Sequence, residues 1–241
     1  MEIHKPKPVH NWREFLKEYA IIVLGVITAL LGEQAVEKLH DRARAAEARA
    51  SIREEIARNL GYMNVREASE ACMARRLDEV DGLIAASAAG KLPQDALWIG
   101  QPINFIMLDG KYKAATQSGT VSLFGDGEQA AYSSLYALFV TYWEQSQGEM
   151  HTWSDLRALE KHPPPSPVLD WQLRSAVQQA RVARYGVELS RQVALHDAAG
   201  MGVAPARYKN LAMPPACIPL HTPREAALKL VSYGIYNPPV P

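Results

Sequence analysis

Two cysteines, Cys72 and Cys217, are the residues of this chain best suited to covalent chemistry. They lie far apart in the sequence, which excludes a local CxxC redox or zinc motif. In an oxidising compartment they could form a disulfide that closes a long loop. In a reducing compartment they would be two unpaired thiols in the core. The sequence leaves both states open, and the pair is the disulfide candidate of this chain.

Histidine and serine chemistry has little support in the sequence. None of the seven histidines belongs to an HExxH motif, and no His/Cys cluster has zinc spacing. There is no GxSxG nucleophile elbow and no GxxxxGK[ST] phosphate loop. Ser118 follows Gln117 at a turn, and we expect it to end a helix rather than to act as a nucleophile. We therefore predict no catalytic, cofactor-binding or metal-binding residues, which favours a protein that is not an enzyme.

Charged side chains are balanced and intermixed. The 26 Lys and Arg residues match 26 Asp and Glu residues, and this zero net charge argues against general nucleic-acid binding. Between residues 53 and 75, acidic and basic residues alternate on what we predict to be a helix. We interpret them as a solvated, ion-paired face. Its members are Arg53, Glu54, Glu55, Arg58, Arg66, Glu67, Glu70 and Arg75.

The element that places this chain in a cell is the apolar run at residues 20–32. At about 1.5 Å per residue it spans roughly 20 Å, which is shorter than a hydrocarbon core of about 30 Å. Counted from Phe15 to Val36, the segment is long enough to span a bilayer, and Trp12 and Tyr19 favour the interface. We predict a transmembrane helix over residues 12–36. The alternatives are a signal peptide, for which the cleavage site is poor, and a buried core helix.

The cations near this segment barely decide its orientation. Four precede it and four follow it, so the positive-inside rule discriminates little. A short N-terminal segment with four cations ahead of the apolar run should nevertheless resist translocation, whereas long domains cross largely regardless of charge. We expect a disordered cytoplasmic tail at residues 1–11 and a domain outside the cytoplasm, in the periplasm. The cations before the apolar run at residues 20–32 are Lys5, Lys7, Arg13 and Lys17, and those after it are Lys38, Arg42, Arg44 and Arg49.

One face of the predicted span is built from small residues, namely Gly25, Thr28, Ala29 and Gly32. Their small-xxx-small spacing is typical of helices that associate in a membrane. Glycine and alanine are also common in membrane helices that do not associate. The face is therefore a candidate for contact with a second copy or with another envelope protein.

The remaining residues, 37–241, predict an irregular helical bundle. Residues 33–89 contain no proline and should form one long helix or two helices in series. Apolar residues spaced by three and four continue along it, and we expect core packing within the chain rather than contact between copies. The first part of this stripe is Val36, Leu39, Ala43, Ala46 and Ala50. Further helices are predicted at residues 128–147, 151–161 and 168–199, with a short final helix from Arg224 to about Tyr233.

Aromatic residues repeat with helical spacing between residues 132 and 143. Such a stripe is far more often core than a ligand site. An alternative function nevertheless follows from it, in which the domain senses a ligand or catalyses a reaction. Its pocket would be lined by Trp98, Tyr132, Tyr136 and Trp143.

The N-terminal residues Asn11 to Glu18 lead into Ile21–Ile27 and Glu33-Gln34. This WREF…IIVLGV…EQ pattern resembles that of a group of uncharacterised proteobacterial single-pass membrane proteins. The segment Ala115–Thr120 is similar to a second short block of that group. The resemblance implies a bacterial envelope protein with a helical domain, and it implies no particular activity. The predicted anchor favours the inner membrane as the site of that protein.

These features combine into one expectation. The chain is all-α, with a transmembrane helix that continues into a long helix and then into a helical domain. Its expected function is structural or interaction-based, with the lipid bilayer and either itself or another envelope protein as partners.

Overall fold

The computed structural model describes residues 12–95, 97–208 and 213–231, and in these ranges the fold is all-α, as predicted. The predicted tail at residues 1–11 lies outside the described residues. Three short 3₁₀ turns connect or follow the helices, at Thr120–Leu123, Arg157–Lys161 and Pro215–Cys217. The helices are α1 (Trp12–Glu67), α2 (Glu70–Ala88), α3 (Gly110–Gln117), α4 (Asp126–Leu156), α5 (Pro167–Gly200) and α6 (Arg224–Leu230).

The proline-free stretch forms two helices in series, which was one of the two alternatives. The first, α1, is continuous over 56 residues from the apolar run into the bundle. It ends where the Ser69 backbone N–H and hydroxyl both donate to the carbonyl of Arg66, at 2.9 and 2.6 Å. A side chain that caps the last turn in this way competes with continuation of the helix.

The prediction of a separate helix at residues 151–161 is wrong. Instead, α4 continues through Gly148 to Leu156 and then tightens into the 3₁₀ turn Arg157–Lys161. No proline interrupts the chain between Asp126 and His162, and a lone glycine costs a helix only about 1 kcal/mol. The stop comes at His162, which has a φ of 48° and is followed by three prolines.

Two clusters of buried side chains form the core, and α4 and α5 contribute to both. The first cluster joins the second half of α1 to the start of α4 and the end of α5. The second joins α2 to the end of α4 and the start of α5. Hence α4 and α5 run antiparallel along the whole bundle. Central residues are Ile52, Ile56, Leu60, Tyr132 and Phe139 in the first cluster, and Met73, Leu77, Trp153 and Val177 in the second.

The C-terminal segment packs on α2. Its 3₁₀ turn Pro215–Cys217 precedes α6, which ends at Leu230. The predicted end of this last helix near Tyr233 lies outside the described residues. A small third cluster joins Trp98, Ile218 and Ala227, and so attaches α6 to the extended chain after α2.

Candidate functional site

Among the described residues, nothing buries the apolar start of α1. Its most apolar window is 0% buried, and α1 is the one helix among the described residues that is long and apolar enough to cross a membrane. The alternative of a buried core helix is therefore wrong for this segment. Large apolar side chains exposed here are Trp12, Phe15, Leu16, Tyr19, Ile21, Ile22, Leu24, Val26, Ile27, Leu30 and Leu31.

The four small residues of the apolar segment are also exposed. A Cβ atom added at Gly25 or Gly32 would meet no atom within 4 Å. The Thr28 hydroxyl donates to the Leu24 carbonyl of its own helix at 2.8 Å, so its hydrogen is already used within α1. Ala29 is exposed between them. No described residue of the chain covers this face.

The stripe from Val36 to Ala50 does not pack in the core, which corrects our expectation. Val36 is 54% exposed and Leu39 is 62% exposed. Ala43, Ala46 and Ala50 are exposed as well. The contact of α1 with the bundle begins at Ala45 and continues through Ile52 and Ile56, on the other side of the helix. Residues 33–44 thus form a stalk without a buried residue.

The charged stretch at residues 53–75 is not uniformly solvated, and this is a second correction. The Arg66 guanidinium is buried and donates to the Glu149 carboxylate of α4 at 2.5 Å. Burial raises the pKa of Glu149 to about 7, although the Arg66 charge opposes this. Glu70 lies 3.9 Å from Arg66 and 3.1 Å from Arg184, and burial raises its pKa too.

A carboxyl group with such a pKa is suited to proton transfer, but Glu149 is 0% exposed. The groove beside it between α4 and α5 has a volume of about 590 Å³, and its lining includes the apolar Val182 as well as Gln145 and Gln179. No nucleophile lines it among the described residues except the hydroxyls of Thr152 and Ser175. The Arg66–Glu149 pair therefore acts as a buried link between α1 and α4.

Glu55 is the other buried member of that stretch, and it fixes the start of α3. Its carboxylate accepts hydrogen bonds from the backbone N–H groups of Lys111 and Tyr112, at 2.9 and 3.3 Å. The Tyr136 hydroxyl donates to it at 2.7 Å, and burial raises the pKa of that hydroxyl. Negative charge at a helix N-terminus is favourable, so this contact is structural.

Cys72 and Cys217 are bonded as a disulfide that joins α2 to the C-terminal segment, with their Cα atoms 4.9 Å apart. Arg76, one turn further along α2, is almost fully buried beside them. Its guanidinium donates to the carbonyls of Trp98, Ile99 and Ile218. The Trp98 indole N–H donates to the Pro215 carbonyl at 2.9 Å. The disulfide and these hydrogen bonds together hold residues 213–231 on the bundle.

The four aromatic residues of the ligand-pocket alternative do not meet. Trp98 belongs to the small cluster with Ile218, whereas Tyr132 and Tyr136 are buried in the first core cluster. Trp143 is half-buried elsewhere on α4. A groove of about 990 Å³ lies instead at the α4–α5 end, where Arg157, Lys161 and Trp171 line it.

Sequence reasoning missed the buried charges, although a signal for them exists. Arg66 continues the 3–4 spacing of the buried residues Leu60 and Met63 along α1. Glu149 occupies the same register as Tyr142 and Trp153 on α4. A charge in the register of an apolar stripe indicates burial with a partner, and the partner is not visible in the sequence because it lies on another helix.

Neither a possible metal site nor a known relative assigns a role to these residues. Over the described ranges, no group of three or more His, Cys, Asp or Glu side chains could hold a metal ion. Comparisons of the chain with family models, with curated proteins and with solved structures found no match.

Proposed function

We propose that this chain is a membrane-anchored protein of the bacterial envelope that works through protein–protein contacts. The observation that supports it best is the continuity of α1 together with the exposure of its apolar segment. One uninterrupted helix carries a fully exposed apolar segment, then an exposed stalk, then a face that enters the core. Exposed apolar surface of this extent is unfavourable in water and favourable in a bilayer.

The proposed placement is a single pass through the inner membrane, with residues 37–241 on the periplasmic side. The cationic N-terminal tail favours retention in the cytoplasm. The spatial proximity of Cys72 and Cys217 supports the same placement, because a disulfide between them persists in an oxidising compartment. The ligand-sensing alternative is not carried forward, since its four aromatic residues belong to separate parts of the bundle.

Carbonate extraction of membranes tests the anchor. The full chain should stay in the membrane fraction, and an Ile22→Lys/Ile27→Lys variant should be released. Each lysine at the centre of a span costs roughly 2.5–3.5 kcal/mol of insertion free energy. A matched control, Val182→Lys/Tyr185→Lys, places the same two charges on an exposed face of α5 and should stay in membranes. Release of the unchanged chain by carbonate would refute the anchor.

Reporter fusions test the orientation. A reporter that is active only outside the cytoplasm, fused after Pro241, should be active, and a cytoplasmic reporter at the same place should be silent. The reverse result would place the helical domain in the cytoplasm.

A further inference from the structure

The exposed residues of α1 follow a heptad repeat that begins inside the proposed span and ends at the bundle. Successive members are separated by alternating steps of four and three residues. Every member is exposed in the described part of the chain. The eight positions are Gly25, Ala29, Gly32, Val36, Leu39, Ala43, Ala46 and Ala50.

This seam, residues 25–50 at those eight positions, faces away from the bundle. Ala45 and Ile52, which pack into the core, lie on the opposite side of the same helix turns. A neighbour can therefore approach the seam without displacing any part of the described chain. Because a strict seven-residue repeat favours a left-handed supercoil, the spacing selects another helix as that neighbour.

From this geometry we infer that the occupant is a second copy of this chain, packed in parallel along the seam. The inference rests on the proposed anchor, since two copies inserted in the same orientation present identical seams at identical heights. Val36 then occupies an a position and Leu39 a d position, the combination that favours two-stranded parallel coiled coils. Within the bilayer, Gly25, Ala29 and Gly32 allow the two backbones to approach closely.

Charges beside the seam fit a second copy. In this register Arg42 is a g position and Glu47 is the following e position, so Arg42 of each copy faces Glu47 of the other. Both side chains are exposed, and the ion pairs of the described residues include neither of them. Two opposite-charge pairs therefore form across a parallel dimer.

Alanine at four of the eight seam positions makes the contact weak in dilute solution, because it buries little apolar area. Confinement of both copies to one membrane raises their effective concentration, which converts a weak contact into a populated dimer. The seam thus functions in the membrane-anchored chain, and the test must use that chain.

Cysteine crosslinking in native membranes tests the seam. Leu39→Cys should give an oxidatively crosslinked dimer, whereas Glu37→Cys, on the same helix turn but off the seam, should give little. Equal yields at the two positions, no crosslink at Leu39→Cys, or a crosslink to a protein of different mass would each overturn the proposal. Carbonate extraction of the same membranes separates the two ideas: a retained but uncrosslinked chain refutes the dimer alone, and a released chain refutes the anchor.

A charge exchange gives a second readout that does not depend on folding of the bundle. In the Leu39→Cys background, Arg42→Glu and Glu47→Arg should each lower the crosslinked fraction, by roughly threefold. The double exchange should restore it, because the pairs re-form with reversed sign. Val182→Asp on α5 should have no effect. Absence of restoration, or loss of the dimer with the α5 variant, would contradict the assigned seam.

Discussion

Single buried charges decide how α1 is joined to the rest of the bundle. Arg66 and Glu149 are both removed from water, and each is the principal partner of the other. An ion pair of this kind adds little net stability, yet loss of one partner leaves an uncompensated charge in the core.

The variant Arg66→Met should destabilise the protein by roughly 3–5 kcal/mol, because it leaves the Glu149 carboxylate buried without its partner. The matched control Arg75→Met removes an exposed guanidinium 3.7 Å from Glu79. That control should change the free energy of unfolding by about 0.5 kcal/mol or less. Denaturant titration at pH 8 measures both, and equal effects would show that the buried pair has no special role.

The pKa of Glu149 predicts a pH dependence of stability. Its value of about 7 in the folded state exceeds the ordinary 4.5, so the folded protein holds this proton more tightly than the unfolded chain. The resulting stability is fully present below about pH 4.5 and is lost as the pH rises towards 7. Over this window, Glu149→Gln should flatten the curve of unfolding free energy against pH, relative to the unchanged protein. An identical slope in both proteins would exclude Glu149 as the cause.

Whether the sequence predicts the environment of these residues depends on whether that environment is set locally or by contact with another helix. The helical class and the apolar stripe of α4 could be predicted, because spacing by three and four residues is a local property. The Arg66–Glu149 contact could not be predicted, because the two residues are 83 positions apart in the chain and meet only through the packing of α1 on α4. The exposure of Val36 and Leu39 could not be predicted either. An apolar stripe has the same sequence pattern whether it packs in a core or against a second copy.

At the scale of the elements, α1 is held to the following segments by close backbone contact. A Cβ atom added at Gly61 would lie 2.5 Å from the Ala206 carbonyl oxygen and 2.6 Å from the Tyr208 ring. Beside it, the Ala206 N–H donates to the Ala57 carbonyl at 2.7 Å. The chain after α5 can therefore lie on α1 only because a glycine stands there.

Gly61→Ala should destabilise the protein by roughly 1–3 kcal/mol, the usual cost of overpacking a tight contact. Gly82→Ala is the matched control, since Gly82 is also helical but has no neighbour within 4 Å of the added atom. It should stabilise the protein by about 0.5–1 kcal/mol through helix propensity. Thermal unfolding of both variants checks the opposite signs, and a stabilising effect at Gly61 would disprove the close contact.

The link between α2 and the C-terminal segment predicts a sensitivity to reductant. Removal of the disulfide by Cys72→Ser/Cys217→Ser should lower the unfolding free energy by roughly 2–5 kcal/mol. Residues 213–231 should become accessible to protease first, because the disulfide and the Arg76 hydrogen bonds hold them. Full alkylation of both thiols in unreduced protein would contradict the disulfide.

At the scale of the whole molecule, the core and the apolar segment are separate structures on one helix. The first buried residue of α1 is Ala45, so neither core cluster uses the apolar segment or the stalk. Deletion of residues 1–36 should therefore leave the unfolding free energy of the bundle within about 0.5 kcal/mol of its original value.

A longer deletion, of residues 1–52, is the control for that prediction. It removes the Arg49 contact with Glu128 at 2.8 Å and the fully buried Ile52, and it should strongly destabilise the bundle. Denaturation of both truncated proteins, purified under oxidising conditions, compares them. Unfolding of the shorter deletion would show that the core depends on the N-terminal segment.

The uninterrupted course of α1 sets a standoff distance. With residues 12–36 in a bilayer as proposed, the stretch from Val36 to Ala45 raises the bundle by roughly 14 Å, at 1.5 Å per residue. Because α1 is continuous, each added residue both raises the bundle and rotates it about the helix axis, so the two cannot change independently. Seven inserted residues would lift the bundle by about 10 Å and nearly preserve its rotational orientation about the α1 axis. Two inserted residues would rotate it by about 200°. The length of the stalk therefore sets the distance of the bundle from the membrane. It also sets which side of the bundle faces a neighbouring envelope protein.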